Sequence, residues 1–117
     1  MTRRADGELE NDVLQALWRL DRPASPGDVI EEMQTDLAYT SIATILTRLC
    51  DKGLASRSRA GRAYVYSAAS SEADLTVQRI SSVLDAVSDR QSALAGFAKS
   101  LDAAEAAQLA EFLRDSE

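Results

Sequence analysis

A chain of 117 residues with a net charge of −6 and one cysteine supports a single domain, or one domain with an oligomerisation appendage. It has no histidine and only Cys50 as a thiol, which excludes the commonest general base, a Cys/His metal cluster and an internal disulfide. Its glycines are scattered singly, without a phosphate-cradling loop, and no run approaches the roughly 18 consecutive apolar residues of a membrane span.

The expectation is a non-enzymatic chain with no catalytic residues, no cofactor, no metal and no membrane partner. The opening MTRRADGELEN has basic residues but no apolar stretch behind them, which argues against a secretory signal. With a lone thiol, the chain is expected to be cytoplasmic.

Residues 1–6 read as a frayed start. Over residues 7–20, Leu9, Val13, Ala16, Leu17 and Leu20 set out an amphipathic helix, with Trp18 beside the stripe as a core residue. Asp21-Arg22-Pro23 breaks it. Ser25 then fits an N-cap and Pro26 the first helical position, while Asp28 closes a capping box less well than Glu would. Val29, Ile30 and Met33 face the core of this short second helix, which Thr35-Asp36 ends.

A third helix begins near residues 38–40. Ile42, Ile45, Leu46 and Leu49 bury one face at the i, i+3, i+4, i+7 spacing, and Lys52-Gly53 is its stop signal. Cys50, on the edge of that stripe, reads as a small buried hydrophobe. The other face carries Thr40, Ser41, Thr44, Thr47 and Arg48. A strand over residues 54–59, a turn over 60–62 and a returning strand over 63–66 follow, with alternating residues toward the core. Tyr64 and Tyr66 favour packing over stacking on bases. Helix, helix, helix, hairpin is a winged helix-turn-helix, expected over residues 1–69.

Residues 70–117 form a different unit of three short, acidic helices. Leu75, Ile80, Val83, Leu84 and Val87 make the first stripe, Leu94 and Phe97 the second, and Leu109, Phe112 and Leu113 the third, after the capping-box signature Asp102-Ala103-Ala104-Glu105. Some 45 residues hold too little core to fold alone. These stripes are therefore expected to pair with a second copy of the chain. The fold class is mainly α with a small β-hairpin wing, followed by a C-terminal helical dimerisation region.

Charge is divided between the units. In residues 40–66, Arg48, Lys52, Arg57, Arg59 and Arg62 face Asp51 alone, so the window is +4 and the remainder −10. Charge distribution, rather than its sum, governs nucleic-acid binding. Short hydroxyls allow a helix to approach base edges closely, so Tyr39, Thr40, Ser41 and Thr44 are the candidate readers of double-stranded DNA. Thr47 and Arg48 are placed to grip phosphate. Arg57, Arg59 and Arg62 add phosphate or minor-groove contacts that fix register. Plainer readings stay open: a solvated third helix, wing arginines that discourage edge pairing, and C-terminal stripes that close on themselves. The alternative function is a protein-binding winged-helix adaptor without DNA specificity.

The residues from Glu10 to Tyr66 resemble the BlaI/MecI penicillinase-repressor family. The likeness lies in VLQALW (Val13 to Trp18), in Asp28-Val29-Ile30 with Glu31-Glu32, and above all in Ser41-Ile42-Ala43-Thr44-Ile45-Leu46-Thr47-Arg48-Leu49 followed by Lys52-Gly53-Leu54. Gly61-Arg62 and Tyr64-Val65-Tyr66 resemble its wing, and the spelling LAYTSIATILTRL is similar to actinobacterial members. The resemblance implies a homodimeric repressor on inverted-repeat operators, linked to a β-lactam response and relieved by a regulatory protease or another inducer. Family derepression can follow cleavage at an Asn-Phe bond, and here the matching pair is Gly96-Phe97. Copper sensing through the C-terminal cysteines of related repressors is excluded, since only Cys50 exists.

Overall fold

In a computed structural model, which describes residues 6–116, the chain runs through three helices, a hairpin and three further helices. The expected frayed start lies, apart from residue 6, outside the described residues. Helix α1 (Asp6–Leu20) buries Val13, Leu14, Ala16 and Leu17. Leu14, absent from the expected stripe, is 1% exposed because it shares the buried arc with Val13 and Leu17. Trp18 is half-buried at the edge of the core, and its indole N–H donates to the Ser70 carbonyl at 2.9 Å.

Helix α2 (Pro26–Met33) starts on a complete capping box. The Asp28 N–H donates to Ser25 Oγ at 3.1 Å and the Ser25 N–H donates to the Asp28 carboxylate at 3.0 Å. The Ser25 N–H, with help from Arg22, holds the Asp28 carboxyl below the usual aspartate range. The helix closes one residue before the expected stop, at Gln34 with φ 52°, a left-handed cap made without glycine.

Helix α3 (Tyr39–Asp51) buries the four predicted residues and ends in a Schellman motif. Gly53 takes φ +77° there, so that its N–H reaches the Cys50 carbonyl at 3.0 Å and the Leu54 N–H reaches Leu49 at 2.9 Å. Strands β1 (Ala55–Ala60) and β2 (Ala63–Ala68) pair antiparallel around Gly61-Arg62, with Arg59 opposite Tyr64 and Arg57 opposite Tyr66. Gly61 has φ +68°, placing glycine at the first position of a two-residue hairpin turn, as a II′ turn requires. One further backbone pair anchors the wing. The Ala24 and Tyr66 amides exchange hydrogen bonds of 2.9 and 2.8 Å, a bridge with no signal in the sequence.

That bridge marks where the core ends. The expected alternation toward the core holds for Ala55 and Tyr66, each 5% exposed, whereas Tyr64 is 37% exposed because the hairpin runs on past the helices. Glu10 and Lys52 tie α1 to the end of α3 through carboxylate contacts of 2.5 and 2.9 Å, and Glu10 is the buried charged residue of the core edge.

The chain divides into two compact units, Met1–Leu75 and Thr76–Glu117, so the division falls within α4 (Glu72–Ala86), six residues beyond the place the sequence suggested. Leu75, expected in the dimerisation stripe, is instead 5% exposed in the core of the first unit, where the first turn of α4 belongs. The second unit continues with α5 (Arg90–Ser100), capped by Asp89, and α6 (Ala103–Asp115), capped by Asp102 with Glu105. From Thr76 onward no described residue is buried. Leu84 is half-buried, while Ile80, Val83, Val87, Leu94, Phe97, Leu109, Phe112 and Leu113 are exposed, together with Val77, which the sequence reading omitted. Counting 3.6 residues back from Ile80 reaches the Val77 side of the helix, not Leu75. No helix among the described residues is long and apolar enough to cross a membrane.

Candidate nucleic-acid interface

Burying Ile42, Ile45, Leu46 and Leu49 fixes the rotation of α3, and that rotation turns Thr40, Ser41, Thr44, Thr47 and Arg48 outward together. Tyr39, in the first turn, is 55% exposed. The hydroxyls on this face are not equivalent. Thr44 Oγ1 donates to the Thr40 carbonyl at 2.9 Å and Thr47 Oγ1 donates to the Ala43 carbonyl at 3.0 Å. Each hydroxyl hydrogen is engaged with the backbone one turn earlier, so these two threonines offer outward only a methyl group and an acceptor oxygen. The Ser41 hydroxyl has no such bond among the described residues and keeps its donor.

The start of α3 differs from that of the other helices with assigned caps. Its N-cap is Ala38, without a side-chain hydrogen bond, and its first turn has no acid. Helices α2, α5 and α6 are each capped by Ser25, Asp89 or Asp102. The Ser41 and Ile42 amides return to the Ala38 carbonyl, and among the described residues no side chain accepts from the amides ahead of them. A helix start in this state presents partial positive charge and free donors to an anion.

On the wing, Arg57, Arg59 and Arg62 are exposed, and among the described residues none makes a salt bridge. The Arg57 guanidinium lies 4.4 Å from the centre of the Tyr64 ring and that of Arg59 lies 5.3 Å away. Arg62 sits in the turn itself. Lys52, part of the basic window, is held by Glu10 and is neutralised there. The basic surface thus consists of arginines, which present planar donor forks to phosphate. Cys50 is half-buried against the core, and desolvation pushes its thiol up despite Arg57, leaving little thiolate for redox chemistry.

Sequence reasoning placed the exposed residues of α3 and the wing, and missed three details. The Glu10–Lys52 tie was foreshadowed by Glu10 lying three residues before Val13 on the buried arc. The back-bonded threonines and the shared ring at Tyr64 need side-chain positions that no spacing supplies.

Three helices closed by a hairpin, the second and third joined by a short connection, make this a winged-helix protein. An ArsR-like transcriptional regulator from Rhodococcus sp. RHA1 is similar in fold, with a TM-score of 0.53 and 22% identity over 81% of this chain and 84% of that one. The chain belongs to the penicillinase-repressor family, whose model, described as "Penicillinase repressor", matches residues 6–115. It is 33% identical over 116 residues to "Transcriptional regulator BlaI" from two strains of Mycobacterium tuberculosis, covering 95% of this chain and 84% of each relative. It is accordingly a transcriptional regulator of the BlaI type and not an enzyme.

Proposed function

We propose that the chain is a cytoplasmic, homodimeric repressor that binds inverted-repeat operators in double-stranded DNA and acts by occluding polymerase. The observation that carries this is the exposed α3 face of hydroxyls and Arg48, uncapped at its start and accompanied by exposed wing arginines that make no salt bridge among the described residues. Ser41, Thr44, Thr40 and Tyr39 read base edges. Ser41 can donate, whereas Thr44 in its observed rotamer meets thymine methyls or accepts from base amino groups. Thr47, Arg48, Arg57, Arg59 and Arg62 grip the backbone. In the second unit, Ile80, Val83, Leu84, Val87, Leu94, Phe97, Leu109, Phe112 and Leu113, joined by Val77, pair with the same surface of a second chain. Half-sites then lie about one helical turn apart, or a multiple of it.

Control of a β-lactam response is the target that the family description suggests. Gly96 lies within α5 and stands where the resemblance implies asparagine, so the proposal includes no cleavage step at residues 96–97.

Genome-wide binding followed by motif extraction tests the reading. A two-fold symmetric motif supports it. A folded protein that enriches no duplex refutes it and leaves the protein-binding winged helix as the function.

The uncapped start of α3 gives a second test. Ala38→Asp should add a side-chain cap and stabilise the fold by about 1 kcal/mol. The same carboxylate would occupy the amides offered to phosphate and repel DNA, so the variant should melt higher yet bind more weakly. Tighter or equal binding, at a raised Tm, would show that the helix start does not approach the backbone.

A further inference from the structure

The wing carries a feature that its charge alone would disfavour. In strand β2, Tyr66 is 5% exposed and its backbone is bridged to Ala24, so Tyr66 helps fasten the hairpin to the core and to the α1–α2 connection. Tyr64, two residues further out on the same face, has no such duty and is 37% exposed. Its direct cross-strand partner is Arg59, and Arg57 lies diagonally beside it. Both guanidinium carbons lie within 5.3 Å of its ring centre. No acid occurs anywhere in residues 54–69 to bring these cations together, and two like charges repel.

We infer that Tyr64 is a positioning residue for DNA binding: its ring gathers the Arg57 and Arg59 guanidiniums and holds them ready for the nucleic-acid backbone. The inference rests on the DNA-binding reading above. A free arginine side chain carries much rotamer entropy, and ordering it on contact with phosphate weakens binding. The quadrupole of the ring attracts each cation and restricts it before DNA arrives. It also offsets the repulsion that gathering two charges entails. The ring therefore raises affinity without adding a phosphate contact. Arg62, in the turn and outside this arrangement, serves as the internal comparison.

The test is fluorescence anisotropy of the full chain with a labelled duplex bearing the motif recovered by the wild type from genome-wide binding, across a salt series. Tyr64→Leu keeps every charge, so it should weaken binding about tenfold for the dimer while leaving the salt slope unchanged. Tyr64→Phe keeps the ring and should bind like the wild type. In an Arg57→Ala/Arg59→Ala background, Tyr64→Leu should have no further effect, because the groups it positions are gone. A hairpin damaged by the leucine would instead weaken both backgrounds alike, and that outcome overturns the positioning role. Equal affinity of Tyr64→Leu and wild type also overturns it while leaving DNA binding standing. A wild type that enriches no duplex defeats both.

Discussion

Replacing Arg57, Arg59 and Arg62 together with alanine is expected to flatten the salt dependence of DNA binding by about five units of slope. A dimer would lose roughly six phosphate contacts, each worth about 0.9 in the slope of log affinity against log salt. The loss should be greatest in dilute salt, and the variant and wild type should converge as salt approaches about 1 M. Three facts make the expectation this large. The arginines are exposed, none is paired with an acid among the described residues, and Lys52 is already paired with Glu10. Stability is a built-in control, since exposed substitutions beyond the core end at Tyr66 should shift unfolding by no more than about 0.5 kcal/mol. The recovered base motif should also persist if, as proposed, the substituted groups touch backbone and not base edges. An unchanged slope at an unchanged Tm would remove the wing from the interface.

Phe112→Asp with Leu113→Asp is expected to yield a monomer by sedimentation and to lower operator affinity by about 10³-fold or more, toward non-specific binding. Phe112 is 59% exposed and Leu113 62% exposed in the single chain, so the substitutions remove little from the chain's own packing. In a two-fold interface each acid appears twice, and the variant places four carboxylates where apolar surface should be buried. Burying a phenylalanine or leucine is worth roughly 1.5–3 kcal/mol, which the dimer would forfeit at every copy. The first unit should fold as before, since Val13, Leu14, Ile42, Leu46 and Leu49 are untouched. A variant that stays dimeric would place the pairing surface elsewhere.

Most helix boundaries were legible because they depend on local chemistry. Ser25-Pro26 opens α2, Asp102 opens α6 and Gly53 closes α3, each through hydrogen bonds among residues a few positions apart. The end of α2 was less legible because Gln34, whose residue type does not announce a left-handed cap, does the work of glycine. The winged fold followed from element order, yet its anchorage did not. A single backbone pair between Ala24 and Tyr66 leaves no side-chain pattern to read. Leu75 and Val77 show the limit of periodicity. Both lie on apolar arcs of one helix, and only tertiary structure reveals that the first turn serves one unit and the remainder another.

The candidate interface was legible at the level of which residues face outward. The hydrophobic arc of α3 determines its opposite face, so Thr44 and Arg48 could be placed from spacing alone. What each group can offer a base could not. The turn of Thr44 Oγ1 back onto Thr40 depends on a rotamer, and it changes Thr44 from a possible donor into a methyl and an acceptor.

The central claim is that the outward face of α3 reads sequence in a paired head. Parallel selection of duplexes by the wild type and by Thr44→Ala measures it most directly. Two inverted repeats are predicted, alike except at one symmetry-related pair of positions, where the variant loses a preference worth roughly 1–3 kcal/mol. The same motif from both proteins would contradict the reading role of Thr44, and a motif without two-fold symmetry would contradict the pairing.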